Sequence, residues 1–339
     1  MNYSQFLTWV DRRLKIVGRL KKVAIIYIIF LMISVRKHSQ QAAGEFSNSS
    51  KSRFSKFLQT HSKFAVVKLD ELSKRQAKQF GKNIRFLAEG TLLWKIGILI
   101  DATLQKRSSL YPQNVQRFNH GQGFVIGHQW TNIVLFINDV VIPLPPIPFY
   151  TRTYCRKHKM EYKTEHESVV EYIDTLNLND YIGQHKPEEV IVLADSGYDD
   201  KKIANAIENK NWKFVIALKK SRCVKSKKQY AISPKSKGWN QVEQFFKNHR
   251  RVKWVTVILA KNSSSKKRTE YRIRQIIGYL RDVGIAQLIC SEFEKRPKGR
   301  RKYLASNDLK ALPRQILIAY PENRIIRTLF SIYSKIFQK

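Results

Sequence analysis

Residues 190–202 read VIVLADSGYDDKK. Four apolar residues lead into Ala194, and Asp195 follows at once, then Ser196, Gly197 and Tyr198. A continuous apolar run of this length reads as a strand buried on both faces. The glycine after it marks a turn, and residues 199–210 read as a helix. A buried strand that delivers a carboxylate at its end, with a turn and a helix behind it, is a piece of an α/β sheet. Ligands gather at strand tips in such sheets.

The same texture occurs upstream. IGILIDAT, residues 96–103, is an apolar run that ends in Asp101. FVIGHQWTNIVLFI, residues 124–137, reads as one long strand or two short ones. VVIPLPPIPF, residues 140–149, holds four prolines, which excludes a central strand and predicts an edge or an extended crossing. HESVVEYIDTL, residues 166–176, reads as a helix, and KFVIAL, residues 213–218, as a further strand. Strands alternating with helices give an α/β core.

Asp101 and Asp195 both end an apolar strand. Two carboxylates brought together at a sheet edge repel each other, and a divalent cation with a preference for oxygen ligands, Mg²⁺ or Mn²⁺, relieves that repulsion. A pair of such ions about 3.5–4 Å apart can activate an attacking oxygen and stabilise a leaving one in phosphoryl transfer. Taken singly, each aspartate also reads as a turn former or helix cap, and Asp199 as the cap of a helix beginning near Asp200.

Charge favours the first reading. The chain has 63 Lys and Arg against 26 Asp and Glu, a formal charge of +37. A balance this basic concerns partners rather than fold and points to a polyanion, of which nucleic acid is the commonest. Residues 1–85 look helical and basic, with Phe54, Phe57 and Leu58 at helical spacing opposite Lys and Arg. Residues 23–35, VAIIYIIFLMISV, carry no charge. They are too short to span a bilayer, which takes about 20 apolar residues, and read as a buried helix rather than a signal or anchor. The three cysteines, Cys155, Cys223 and Cys290, form no CxxC pair. They give no zinc site and no disulfide framework, and fit a reduced cytoplasm.

Beyond residue 218 the chain turns basic and rich in strands. KKSRCVKSKK, residues 219–228, has no acid, and VKWVTVILA, residues 252–260, reads as a strand. A basic, β-rich insertion at about 219–275 is predicted. Residues 285–290 and 300–306 then read as a strand pair across a Pro-Lys-Gly turn, and 309–336 as helix interrupted by Pro313 and Pro321.

The ordered set of ILIDAT around Asp101, VLADSGYDD around Asp195, KFVIALKKS and YLASNDL at 303–309 resembles the DDE transposases of bacterial insertion sequences, in the hairpin-type branch. The resemblance runs from about residue 92 to 335. It implies an RNase H-like core over residues 91–339, a mixed sheet flanked by helices, behind a helical DNA-binding region at 1–90. It implies Mg²⁺ or Mn²⁺ held by Asp101 and Asp195, double-stranded DNA as partner, a homodimer on DNA, nucleoid association and no membrane. Lys219, Lys220, Arg324 and Lys335 become candidate phosphate contacts.

The branch places Tyr, Arg, Glu and Lys on its last helix. Counted from Tyr320, the Arg position is Asn323, the Glu position is Arg327, and the Lys position is Ser334, with Lys335 next to it. The third acid is therefore replaced by a cation, and Glu322, beside Pro321, is a weak substitute at the wrong helical phase. A decayed or truncated copy is one expectation from this departure. A catalytically inactive DNA-binding remnant is the corresponding alternative, and a basic nuclease or RNA-binding protein outside the family is another.

Overall fold

The computed structural model of the chain describes residues 94–107, 114–120, 123–137, 140–233, 238–249, 251–259, 269–293 and 301–320. It also describes residues 69–78 and a few positions before residue 53. The chain divides into two compact units, residues 1–75 with 327–339, and residues 76–326. Of the first unit, residues 69–75 are helical and carry an Asp70–Lys74 ion pair at 2.9 Å, one turn apart. The readings placed on Phe54, Phe57, Leu58 and the 23–35 run lie largely or wholly outside the described residues.

The second unit is built on one large mixed sheet. Its first half contains β1 (Ile96–Lys106), β2 (Gln116–His120), β3 (Gly123–Ile137), β4 (Val140–Pro143), β5 (Ile147–Pro148), β6 (Val190–Ala194) and β7 (Lys213–Leu218). Helices α1 (Arg152–His158), α2 (Glu165–Thr175) and α3 (Asn179–Ile182) separate β5 from β6, and α4 (Lys201–Asn209) joins β6 to β7. β6 lies parallel to both β1 and β7, and β3 lies antiparallel to β1, with β4 and β5 on its outer side. The proline-rich stretch is thus an edge, where missing N–H donors do no harm.

Burial explains the sequence pattern. All five residues of β6 are buried, as are the first five of β1. Ile96, Ile98 and Ile100 join Val190, Val192 and Ala194 in one apolar cluster with Val169 and Ile173 of α2 and Ile203 and Ile207 of α4. The alternate residues Leu99, Ile191 and Leu193 are buried on the opposite face. β1 does not end at Asp101 but runs on to Lys106, because β3 continues to pair with it after β6 has stopped. With a neighbour on one side only, residues 102–106 have no need of continuous apolarity. The long-strand alternative for residues 124–137 is the one realised.

Helix caps fix the flanking layer. Thr164 and Glu167 close a capping box at the start of α2. Two hydrogen bonds from Thr164 and the ammonium of Lys202 lower the Glu167 carboxyl to about 2. α4 is capped by Asp200, whose side chain accepts from the Lys202 N–H, not by Asp199.

Between β7 and β13 (Lys302–Ser306) the chain inserts β8 (Cys223–Ser226), α5 (Lys227–Ile232), β9 (Asn240–Gln241), α6 (Val242–Asn248), β10 (Val255–Leu259), β11 (Thr269–Leu280) and β12 (Gly284–Phe293). These strands extend the same sheet, because β13 pairs antiparallel with β7 on one side and β12 on the other. The expected pairing of 285–290 with 300–306 is therefore present. Part of the basic charge here is internal. Buried Glu292 pairs with Arg272 at 3.3 Å and Arg301 at 2.9 Å, and both guanidinium groups, with that of Arg274, surround the Trp254 ring. Burial also pushes the neighbouring Cys290 thiol up to about 12, which keeps it protonated and unreactive. α7 (Pro313–Ala319) follows β13, and Tyr320 is its buried C-cap.

Gly127 marks a close crossing of β3 over β1. A Cβ there would lie 1.9 Å from the Gln105 backbone oxygen, so the two strands would have to part. Gly127→Ala is expected to destabilise the unit by about 1–3 kcal/mol, the range for overpacking. A thermal melt measures it, and an unchanged midpoint would show that the strands separate at no cost.

Candidate functional site

The last registered pair between β1 and β6 is Ile100 with Ala194. The next residue on each strand is an aspartate, so Asp101 and Asp195 stand side by side. By strand alternation both project from the face opposite the α2 and α4 layer, on the side of Leu99 and Leu193. Both are half-buried. The positions predicted to converge from the sequence are adjacent in the sheet, with the difference that Asp101 is mid-strand.

Asp195 is held by its own turn. Its Oδ1 accepts the Gly197 N–H at 2.7 Å, capping a short 3₁₀ turn over Ser196–Tyr198. A Cβ at Gly197 would sit 2.9 Å from the same carboxylate oxygen, so a larger residue there would turn that side chain aside. Tyr198 turns inward, is 2% exposed, and donates its hydroxyl to Glu165 Oε1 at 2.7 Å. Glu165, at the start of α2, also accepts from Thr131 Oγ1 at 3.1 Å and from Gln129 Nε2. The Asp195 turn is thereby tied to β3, the strand beside Asp101. Burial, and then the charges of Glu165 and Asp101, push the Tyr198 phenol well above its ordinary value, so it remains a donor. His166 reaches the same turn, with Nε2 2.8 Å from the Gly197 carbonyl oxygen and Nδ1 3.3 Å from Asp200.

Two residues further on, Asp199 is buried against Arg222, with Nε to Oδ1 at 3.2 Å. Burial raises the Asp199 carboxyl above its usual value, although Arg222 and Lys219 pull the other way. The desolvation penalty thus outweighs the attraction of the paired charge. Arg222 also donates to the Arg281 carbonyl, so it joins the turn to the inserted strands.

The candidate phosphate contacts divide. Lys219 and Lys220 are exposed directly after β7, whose parallel pairing with β6 puts its C-terminal end beside Asp195. Lys220 lies 3.9 Å from Glu243 and is partly engaged there. Arg324 and Lys335 lie outside the described residues, as do Glu322, Asn323 and Arg327. Among the described residues no group of three or more His, Cys, Asp or Glu is placed to hold a metal ion. The described part of the site therefore offers a carboxylate pair, oxygen donors suited to a hard cation.

Sequence reading missed Glu165, Tyr198 in its tying role, and the Asp199–Arg222 pair. The capping box Thr164-x-x-Glu167 could have placed the start of α2, and Glu165 with it. Nothing local marks Arg222, which sits in a run of cations.

A sheet ordered β4-β3-β1-β6-β7, antiparallel and then parallel, with helices between the parallel strands and aspartates on β1 and after β6, is an RNase H-like core. Residues 159–310, a little under half of the chain, match the family model described as the transposase DDE domain, and that match supports a DDE transposase. The matched stretch contains Asp195 but begins after Asp101. No curated protein matches the chain. No helix among the described residues is long and apolar enough to cross a membrane.

Replacing Arg222 by Met leaves Asp199 buried without its counter-charge. Fully buried pairs lose about 3–5 kcal/mol on such a change. Because Arg222 retains 19% exposure, a loss of about 2–3 kcal/mol is expected at pH 7.5. The Asp199 carboxyl is already raised in the folded protein and rises further in the variant. The penalty belongs to the charged form, so the deficit must shrink as pH falls and the carboxyl protonates. Melts of both proteins at pH 7.5 and pH 4.5 test the sign. A deficit that grows on acidification contradicts it.

Proposed function

We propose that this transposase binds double-stranded DNA and that Asp101 and Asp195 are the carboxylate pair of a metal-dependent phosphodiester hydrolysis and strand transfer. The observation that carries the proposal is the β1–β6 register, which stops one residue short of both aspartates. Two anionic side chains sharing one edge of a chain with a formal charge of +37 suit a cationic cofactor and a polyanionic substrate. Asp101 and Asp195 would hold Mg²⁺ or Mn²⁺, and they fit it by donor type and adjacency. When bound, such a cation supplies Lewis-acid charge at the scissile phosphate.

The chain's own groups divide the remaining work. Gly197 and Tyr198 fix the Asp195 turn, Glu165 anchors Tyr198, and Lys219, with Lys220, stands ready for backbone phosphates at the same edge. Arg324 and Lys335 are further phosphate contacts on the strength of the resemblance alone. Arg327 occupies the position where the resemblance places the third acid, a change of two charge units against a cation. Strong DNA binding with weak cleavage is therefore the expected phenotype. The second reading, a DNA-binding remnant with no residual cleavage, rests on the same substitution.

DNA binding is expected to be salt-sensitive, with a log–log slope of about −0.9 for each phosphate neutralised on a duplex. A fluorescence titration across salt concentrations measures it, and an affinity indifferent to salt would remove the polyanion reading.

Cleavage is tested on duplex DNA carrying the sequences that flank the coding segment. Arg327→Glu is expected to raise Mg²⁺- or Mn²⁺-dependent nicking by about 10²-fold, the scale of one electrostatic contributor at an active site. Asp195→Asn should abolish the gain. Robust Asp195-dependent cleavage by the unaltered chain would overturn impairment and point to Glu322 as the third acid. No cleavage by either protein would favour the remnant.

A further inference from the structure

Past Asp101 the sheet narrows to a ribbon. β1 continues to Lys106, β3 runs beside it out to Gly123, and β2 folds back along β3. The two registers show which side chains share the face of Asp101. Asp101 pairs with Asn132, Thr103 with Trp130, and Gln105 with His128; Arg117 then pairs with Ile126, and Asn119 with Phe124. All of these lie on the side where Asp101 and Asp195 project. From the site outward, that face carries amide, indole, imidazole, guanidinium and phenyl groups; Asn132, Trp130 and His128 are half-buried, Gln105 is buried, and Arg117, Asn119 and Phe124 at the far end are exposed.

The track is held together. Asn132 Nδ2 donates to Thr103 Oγ1 at 2.8 Å, and Arg107 Nε donates to His128 Nδ1 at 3.2 Å. At the far end the exposed Arg117 guanidinium stacks over Phe124 at 4.1 Å, and that ring is 53% exposed. From Ala102 to Met160 the sequence has seven Lys and Arg and a single acid, Asp139, which falls between β3 and β4. Among the described residues of the ribbon no acid follows Asp101. Phe124 to Asn132 covers eight residue steps of β3, about 26 Å at ~3.3 Å per residue. That is the length of about eight base pairs at ~3.4 Å each.

We infer that this face of the ribbon is a docking track for the backbone of duplex DNA flanking the bond to be cut, leading it onto the two aspartates. The inference rests on the transposase reading and adds to it a surface none of whose residues belongs to the family-matched stretch. Charge complementarity selects the occupant. A cation stacked on an exposed ring, followed by amide, hydroxyl and imidazole groups with no interrupting acid among the described residues, suits phosphates and sugars. The face also discriminates. Lys106 is exposed on the same ribbon but belongs to the opposite side, being registered with Gly127.

The experiment uses the full chain and a fluorescein-labelled 30-base-pair duplex of arbitrary sequence, read by anisotropy over a salt series. The double variant Arg117→Gln with Phe124→Ala is expected to bind about tenfold more weakly near 100 mM salt, with a slope shallower by about one. Lys106→Gln should change affinity less than twofold. Equal losses for the two faces would show a diffuse field and overturn the track, as would no loss from the double variant. If the unaltered chain fails to bind the duplex at all, the transposase reading falls and the track with it. Should the double variant melt early, Arg117→Gln alone, which leaves the ring in place, carries the same comparison.

Discussion

The parallel pairing of β1 with β6 is the constraint on which the site depends. Two strands buried on both faces cannot slip by one residue without turning every side chain to the wrong layer. Ile98, Ile100, Val192 and Ala194 are locked against α2 and α4, while Leu99 and Leu193 are buried on the other side. The register is therefore decided by apolar contacts that have no part in chemistry. Its by-product is that the first polar residue after each apolar run falls at the same height, on the same face. Hydrophobic packing positions the two aspartates.

Each aspartate is then held differently. Asp101 sits within a continuing strand, so β3 fixes its backbone on one side after β6 has ended. Asp195 has no ladder beyond Ala194 and depends on hydrogen bonds: its own turn, the Tyr198 hydroxyl on Glu165, and the Asp199–Arg222 pair. These anchors come from β3, α2 and the start of the inserted strands. The turn is braced twice, by a phenol bonded to a carboxylate and by a buried ion pair. A phenol driven far from ionisation is suited to that role, because it stays a donor whatever the charge state of the aspartates.

How much of this was legible depended on how local the cause was. The apolar runs IGILI and VIVLA announced buried parallel strands, and the aspartate after each run announced the neighbouring carboxylates that the proposed function uses. The edge character of the proline-rich stretch and the β12–β13 pair were also readable. The continuation of β1 was not, because Ala102–Lys106 has the mixed polarity of a strand covered on one side, which in sequence looks like the start of a loop. The choice between Asp199 and Asp200 as helix cap turned on a single residue of phase. The partnership of Tyr198 with Glu165, 33 positions apart, and of Asp199 with Arg222, 23 apart, is set by tertiary contact alone. Spacing carries no trace of it.

Charge has to be divided before it can be assigned to a function. The +37 of the chain reads as a uniform affinity for polyanions, yet Arg272 and Arg301 are committed to buried Glu292, Arg222 to Asp199, and Arg107 to His128. These cations stabilise the fold and cannot move toward a phosphate without leaving a partner behind. Lys219 at the carboxylate edge and Arg117 at the ribbon tip are exposed instead. Every contact described at the Asp195 turn arises between Gln129 and Arg222, well before position 327. On the proposed reading, an arginine at position 327 in place of an acid would bear on chemistry and leave those anchors their partners, so that weak cleavage and an intact Asp195 turn are compatible in one chain.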